Sequence, residues 1–302
     1  MLRLASIRAM VALAEAGTIR GAARRLGLSQ SALTKTLREL ETETGAALFH
    51  RSAHGTEFTP IGQALLAHAR QVLTTIARAE ADIHHRIGTR PAHVRLSVTP
   101  TIAVAHAATL AAHFYARDPG GIMEIDTEPL SLALPRLIAG ELDFAVMYAE
   151  PARLPPEIAF QSIRSVRFVP GIAQRLAATA PRNWDEAVER RWAVNVAPGS
   201  ADGAILDWMR ASGLKLRHEP LRCRSPFLMA TLIEDGYIAL IPAVPASGLL
   251  PSHGAIGLNL NPIPDPVPIG IATLRDVPST QAAQSLIERM AGLLRDWLKE
   301  TT

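Results

Sequence analysis

The chain has 302 residues, 48% of them hydrophobic, and 31 Lys+Arg against 28 Asp+Glu give a net charge of +3. That length allows two or three domains with packed cores, and Cys223 as the only cysteine excludes an intramolecular disulfide and a cysteine-rich zinc site. The ten histidines are scattered, so no metal ion and no cofactor is expected, and no segment has the roughly 18 consecutive apolar residues of a membrane span. The charge is uneven: residues 1 to 90 hold 12 basic and 7 acidic side chains, a net of +5, and the remainder 19 and 21, a net of −2. A positive head on a near-neutral body suits phosphate binding by the head. At the N-terminus Arg3 and Arg8 precede MVALA, but Glu15 interrupts an apolar run too short for a signal peptide. Ile7, Met10, Val11 and Ala14 read instead as the buried stripe of a first helix, and a cytoplasmic location is expected.

Next, Ile19, Ala22, Ala23 and Leu26 form a short stripe at i, i+3, i+4, i+7 with Thr18 as its cap. Only Gly27 and Leu28 separate it from Ser29, which caps a second helix carrying Leu33, Leu37 and Leu40 on its inner face and ending at Gly45. Two short helices about a Gly-containing turn form a helix-turn-helix. The outer face of the second carries Gln30, Ser31, Thr34, Lys35 and Arg38, types that read base edges and grip phosphates from a major groove. Taken alone it could equally be a solvated face. Thr18 and Arg20, at the start of the preceding helix, join the DNA-facing set. LFHRSAHGTEFT, residues 48 to 59, reads as a hairpin turning at His54-Gly55, a wing that brings Arg51 and His54 to the backbone phosphates or minor groove.

These residues resemble the LysR-type transcriptional regulators. The resemblance covers Gly17 to Leu66 and rests on Ala22, Ala23, Leu26, Ser29, Gln30, Leu33, Leu40, Glu41, Gly45, Leu48, Phe49, Arg51, Thr59 and Gly62. Ser31 stands where the family often has proline, and Thr34 where it often has serine. It implies a winged helix-turn-helix over residues 1–59 and a linker helix over 60–89. A two-lobed, periplasmic-binding-protein-like effector domain is implied over 90–302, with lobe I about 90–162 and 268–302 and lobe II about 163–267. Expected partners are double-stranded promoter or operator DNA, a small-molecule effector, further copies in a homodimer or homotetramer, and RNA polymerase.

From Thr59-Pro60 a long helix runs to about Gly88, with Leu65, Ala69, Val72, Ile76, Ala79 and Ile83 alternating by four and three. That is the seam of a dimerising coiled coil, although a helix packed on its own domain would use the same residues. After GTRPAH the pattern changes to strands at 94–98, 123–127 and 144–148 alternating with helices near 102–117 and 130–140. The pattern repeats with strands at 192–196, 221–225 and 237–242, helices at 201–212 and 226–235, and a closing helix at 280–299. Alternation implies parallel sheets with right-handed crossovers in two α/β lobes, joined by segments near 162–171 and 264–274.

In both lobes the first strand runs into a similar turn, VTPTI at 98–102 and VAPGSA at 196–201, and each turn opens a helix at the carboxyl end of a strand. Thr99, Pro100, Thr101 and Ser200 are the expected effector contacts, with Phe227 as an apolar wall; plain helix capping is the alternative for each hydroxyl. No Arg or Lys occupies these turns, so an anionic effector is not required. The chain lacks GxSxG, GxxxxGK[ST], GxGxxG after a strand, and HExxH, which argues against an enzyme. A free-standing solute-binding protein would fit the second half but has no use for a basic winged helix.

Overall fold

The computed structural model describes residues 1–52, 55–195, 200–243 and 254–297. It divides into two compact units, Met1–Ile83 and His84–Thr302. In the first, α1 (Leu4–Ala16), α2 (Ile19–Leu26) and α3 (Gln30–Thr44) precede a hairpin of β1 (Phe49–Ser52) and β2 (Gly55–Phe58), and α4 (Pro60–Arg86) begins after it. The helix boundaries follow local chemistry. Gly21 N–H donates to the Thr18 hydroxyl and Ala32 N–H to the Ser29 hydroxyl, both at 3.1 Å. Gly27 and Gly45 close α2 and α3 with φ of 66° and 67°, a conformation that strains other residues. Leu33 and Leu37 bury against Ala9, Leu13, Ala22 and Ala23, and Leu40 against Met10, Leu48 and Leu66. Each buried leucine contributes about 1.5–3 kcal/mol.

In the wing Phe49 pairs with Phe58, their rings edge to face at 5.1 Å. Ser52 pairs with Gly55, so the connection falls at residues 53–54, one position earlier than the His54-Gly55 turn expected from sequence. Gly55 belongs to the ladder, and His54 lies outside the described residues. Glu41 ties α3 to the wing, its Oε1 accepting from Leu48 N–H at 2.8 Å and Phe49 N–H at 3.2 Å. Replacing Glu41 with alanine leaves two partly buried donors unpaired and is expected to destabilise this unit by about 2–3 kcal/mol in urea titration. An unchanged midpoint would mean that water replaces the carboxylate at no cost.

Thr59 caps α4 by accepting from Gly62 N–H at 3.0 Å and donates to the Ala47 carbonyl at 2.8 Å. Along α4 Leu65 and Ile76 are half-buried. Ala69 is buried within the unit's own core beside Met10 and Leu66, whereas Val72 and Ile83 are 45% and 58% exposed. The sequence seam therefore serves two surfaces, because the first turns of the helix also complete the winged-helix core.

The second unit holds two five-stranded sheets. The first is built from β3 (His93–Val98), α5 (Pro100–Tyr115), β4 (Ile122–Asp126), α6 (Leu130–Ile138), β5 (Phe144–Tyr148) and β6 (Ile158–Val166). The second contains β7 (Phe168–Ala173), α7 (Trp184–Val188), β8 (Trp192–Val194), α8 (Ala201–Ala211), β9 (Leu221–Arg222), α9 (Pro226–Glu234), β10 (Ile238–Pro242) and β11 (Ala255–Gly257). The chain then returns to the first sheet as β12 (Val267–Leu274) and closes with α10 (Gln281–Trp297). Strand orders are β4-β3-β5-β12-β6 and β11-β7-β10-β8-β9. In each lobe the first strand lies between the second and third, all parallel, and an antiparallel strand flanks the third. The sheets are thus mixed, not purely parallel. The segments expected to link the lobes are themselves strands: β6 and β12 pair along Ile158–Val166, and β7 pairs with β10. Pro170 and Gly171 disguised β7, since proline removes a ladder donor and glycine weakens a strand. The expected strand at 221–225 is only two residues long, and 223–225 turn instead toward a cavity.

Candidate functional site

Two surfaces gather the residues singled out by sequence. In the N-terminal unit an open concavity of about 950 Å³ is lined by Gln30, Ser31, Thr34, Lys35 and Arg38 of α3. Their grouping follows from helix periodicity once Leu33, Leu37 and Leu40 fix the buried side. Ser31 Oγ lies 3.0 Å from Ser29 Oγ, and the Thr34 hydroxyl donates to the Gln30 carbonyl at 2.8 Å, leaving its lone pairs outward. Four residues missed by the sequence reading complete the concavity: Arg3, Glu39, Thr42 and Glu43. Lys35 Nζ lies 3.9 Å from Glu39, and Arg3 bridges to Glu39 at 3.6 Å and Glu43 at 3.3 Å. The i,i+4 spacing of Lys35 and Glu39 was the available signal; Arg3 precedes α1, remote in sequence, and had none. Thr18 serves as the α2 cap and Arg20 is exposed on α2, both outside the concavity. Arg51 sits in β1.

In the second unit a cavity of about 210 Å³ lies where strands of both sheets end. Thr99, Pro100 and Thr101 follow β3, and Ser200 precedes α8; all four line it. Their hydroxyls differ in employment. Ser200 is a working cap, accepting from Gly203 N–H at 3.1 Å and donating to the Asn195 carbonyl at 2.9 Å. Thr99 makes no side-chain cap bond; its Oγ1 lies 3.3 Å from Thr101 Oγ1, which lies 3.0 Å from Tyr148 Oη. Tyr148 stands edge to face on Phe168 at 5.0 Å, and burial pushes its hydroxyl up to about 12, so it stays protonated. Residues 196–199 of the second turn lie outside the described residues.

Phe227 departs from expectation: it is 84% exposed and does not line the cavity, whereas Met229, two residues further along α9, does. Two positions rotate a helical side chain by more than half a turn, and the choice between them depends on how α9 packs. Polar lining residues that the sequence reading missed include Glu128 after β4, Asn195 after β8, Asp202 in the first turn of α8, and Cys223 and Arg224 after β9. Asp202 accepts from Asn195 N–H at 2.7 Å, yet burial dominates and pushes its carboxyl up to about 7. The Cys223 thiol is buried and donates to the Ser225 carbonyl at 3.3 Å. Among the described residues no group of three or more His, Cys, Asp or Glu is placed to hold a metal, and no helix is long and apolar enough to cross a membrane.

Comparison with known proteins bears on both surfaces. Residues 4–63 match the bacterial regulatory helix-turn-helix proteins of the lysR family, and residues 88–295 match the LysR substrate binding domain. The uncharacterised HTH-type transcriptional regulator YdcI of Escherichia coli is 35% identical over 145 residues, which cover 48% of this chain and 47% of that protein. The small neutral protease regulatory protein of Streptomyces coelicolor is 44% identical over 90 residues, 28% of either chain. The chain thus spans about half or less of the length of these curated relatives. ArgP from Mycobacterium tuberculosis shares the fold with a TM-score of 0.70 at 18% identity, over 96% of this chain and 98% of that one. Full-length CbnR, solved with its target DNA, gives 0.63 at 17%, over 96% and 100%. With its two matched regions together spanning nearly all of its length, this chain belongs to the LysR family of transcriptional regulators, which are not enzymes.

Proposed function

We propose that the protein is a sequence-specific DNA-binding transcriptional regulator. Residues 1–59 read promoter or operator DNA, 60–89 bring two copies together, and 90–302 bind a small-molecule effector between the lobes. The observation that carries this is the α3 concavity, where Gln30, Ser31, Thr34, Lys35 and Arg38 share one open surface on the positively charged part of the chain. Support for the DNA partner comes also from the related fold of CbnR, whose structure includes target DNA. Support for self-association comes from Val72 and Ile83, large apolar side chains exposed on α4. A two-fold pair of heads would match a palindromic operator. The effector changes the angle between the lobes and so the spacing of the heads in a dimer or tetramer. RNA polymerase is the partner through which such a change reaches transcription, and the site of action is the cytoplasm.

The direct test is binding of the full chain to DNA from immediately upstream of its own coding region, against scrambled DNA, at two salt concentrations. Replacing Gln30 or Thr34 is expected to relax base preference by about 1–3 kcal/mol. Replacing Lys35, Arg38 or Arg51 is expected to weaken binding on every sequence and to reduce the salt slope by about one each. Equal loss on all sequences for all five variants would overturn this division of roles. For the effector domain, a footprint of unchanged length and bend at saturating effector would overturn the lobe-angle mechanism.

A further inference from the structure

The polar groups of the inter-lobe cavity divide unevenly between its walls. On the lobe I side Glu128 belongs to a cluster in which one guanidinium serves three carboxylates. Arg136 Nη1 donates to Asp126 and Glu128, both at 2.7 Å, and Nε lies 3.4 Å from Glu141. One cation among three anions leaves the cluster net negative, and Glu128 is its member that lines the cavity. The second carboxylate oxygen of Glu128 is buried with no hydrogen-bond partner among the described residues. On the lobe II side Asn195 Oδ1 is likewise buried and unpaired. Buried acceptors without donors are rare and costly, more so when charged, and both residues line the cavity while the unpaired atoms themselves are closed to solvent. Arg224, also lining the cavity from lobe II, is exposed and has no ion-pair partner among the described residues.

Resting on the assignment of the cleft as the effector site, we propose that the effector is a small amino-acid-type zwitterion. Its ammonium is directed to Glu128 and Asn195 and its carboxylate to Arg224. A plain carboxylate would answer Arg224 and bring no donor or positive charge to the Glu128 wall. A plain amine would do the reverse. The zwitterion satisfies both walls and brings no net charge into the cleft. The hydroxyls of Thr99, Thr101 and Tyr148 donate or accept and so suit either end. A volume of about 210 Å³ favours a small molecule, since pockets for drug-sized ligands run to roughly 300–1,000 Å³. Because Glu128 and Arg224 belong to different lobes, one ligand engaging both would draw the lobes together.

The probes are the proteinogenic amino acids, each beside its des-amino carboxylic acid and its decarboxylated amine. Thermal shift and calorimetry on the full-length protein measure their binding, and footprinting on its upstream DNA runs in parallel. The expected result is an amino acid that binds at least about tenfold tighter than either of its truncated analogues. Glu128→Gln should lose that advantage over the des-amino acid, and Arg224→Gln the advantage over the amine. If Glu128→Gln disturbs the Arg136 cluster and misfolds, the exposed Arg224 carries the test alone. A des-amino acid binding as tightly as its amino acid, or no response to any amino acid, would overturn the zwitterion. Specific DNA binding that responds to another class of metabolite would then leave the regulator assignment standing. Loss of specific DNA binding altogether would overturn that assignment itself.

Discussion

Replacing Gly62 with alanine is expected to destabilise the N-terminal unit by about 3 kcal/mol or more and to abolish DNA binding with it. A Cβ at this position would lie 2.1 Å from the Leu48 carbonyl oxygen and 3.0 Å from its carbon. Neither side has room to yield. The Leu48 carbonyl accepts from Thr59 N–H at 3.0 Å, and its N–H is held by Glu41. Gly62 itself donates to the Thr59 hydroxyl as α4 begins. Calorimetry of the full chain should show the transition of this unit displaced to lower temperature while that of the effector domain stays in place. A variant that melts with the parent would show that the approach of α4 to β1 relaxes cheaply.

The second large effect concerns pH. Asp202 is buried, and its folded-state value near 7 stands well above the usual 3.8 of a free aspartate. The folded state therefore holds a proton that the unfolded chain has released. This stabilisation is complete below about pH 4 and is lost as pH rises through 7, a change on the order of 4 kcal/mol. Asp202→Asn cannot ionise, keeps the acceptor for Asn195 N–H, and should gain stability relative to the parent by that amount between pH 4 and pH 8. His106 in α5 acts in the opposite sense. Burial, then Arg289, lowers its pKa, so its contribution is present above 6.5 and lost as pH falls. Both proteins carry it, and the difference between their urea midpoints cancels it. A difference that stays flat with pH would mean that Asp202 ionises as an exposed carboxyl does.

What could be read from sequence was what is local. The α3 face, its cap at Ser29 and its end at Gly45 depend on residues within four positions of one another, and the three leucines fix which side is outward. Glu41 and Gly62 were visible only as members of a family pattern, and Thr59 also as the start of the long helix. Their physical roles, holding Leu48 and Phe49 against α3 and α4, join segments that a periodicity count treats separately. The same limit applies to the cavity. Its lobe I hydroxyls were found because a strand-turn-helix signal surrounds them. Glu128, Asn195 and Arg224 reach the same space only because β4, β8 and β9 end beside it, which requires the strand order of both sheets. Residues just past each parallel strand were the signal available for all three. Phe227 was misplaced because its size suggested a wall, whereas the packing of α9 turns Met229 inward.

The junction between the two sheets limits how the lobes can move. Strand β6 ends at Val166 and β7 starts at Phe168, so the outward crossing has Arg167 alone as slack. The return crossing runs through residues 258–266 into β12, whose first residue, Val267, pairs with Val166. Of these two neighbouring tethers the one-residue crossing is almost inextensible, so the lobes cannot slide apart at Val166 and Phe168. The motion that strains both tethers least is a rotation about the line joining them. A population of such molecules can then be described by one angular coordinate, and ligands that wedge, bridge or miss the cleft would differ only in where along that coordinate they hold it.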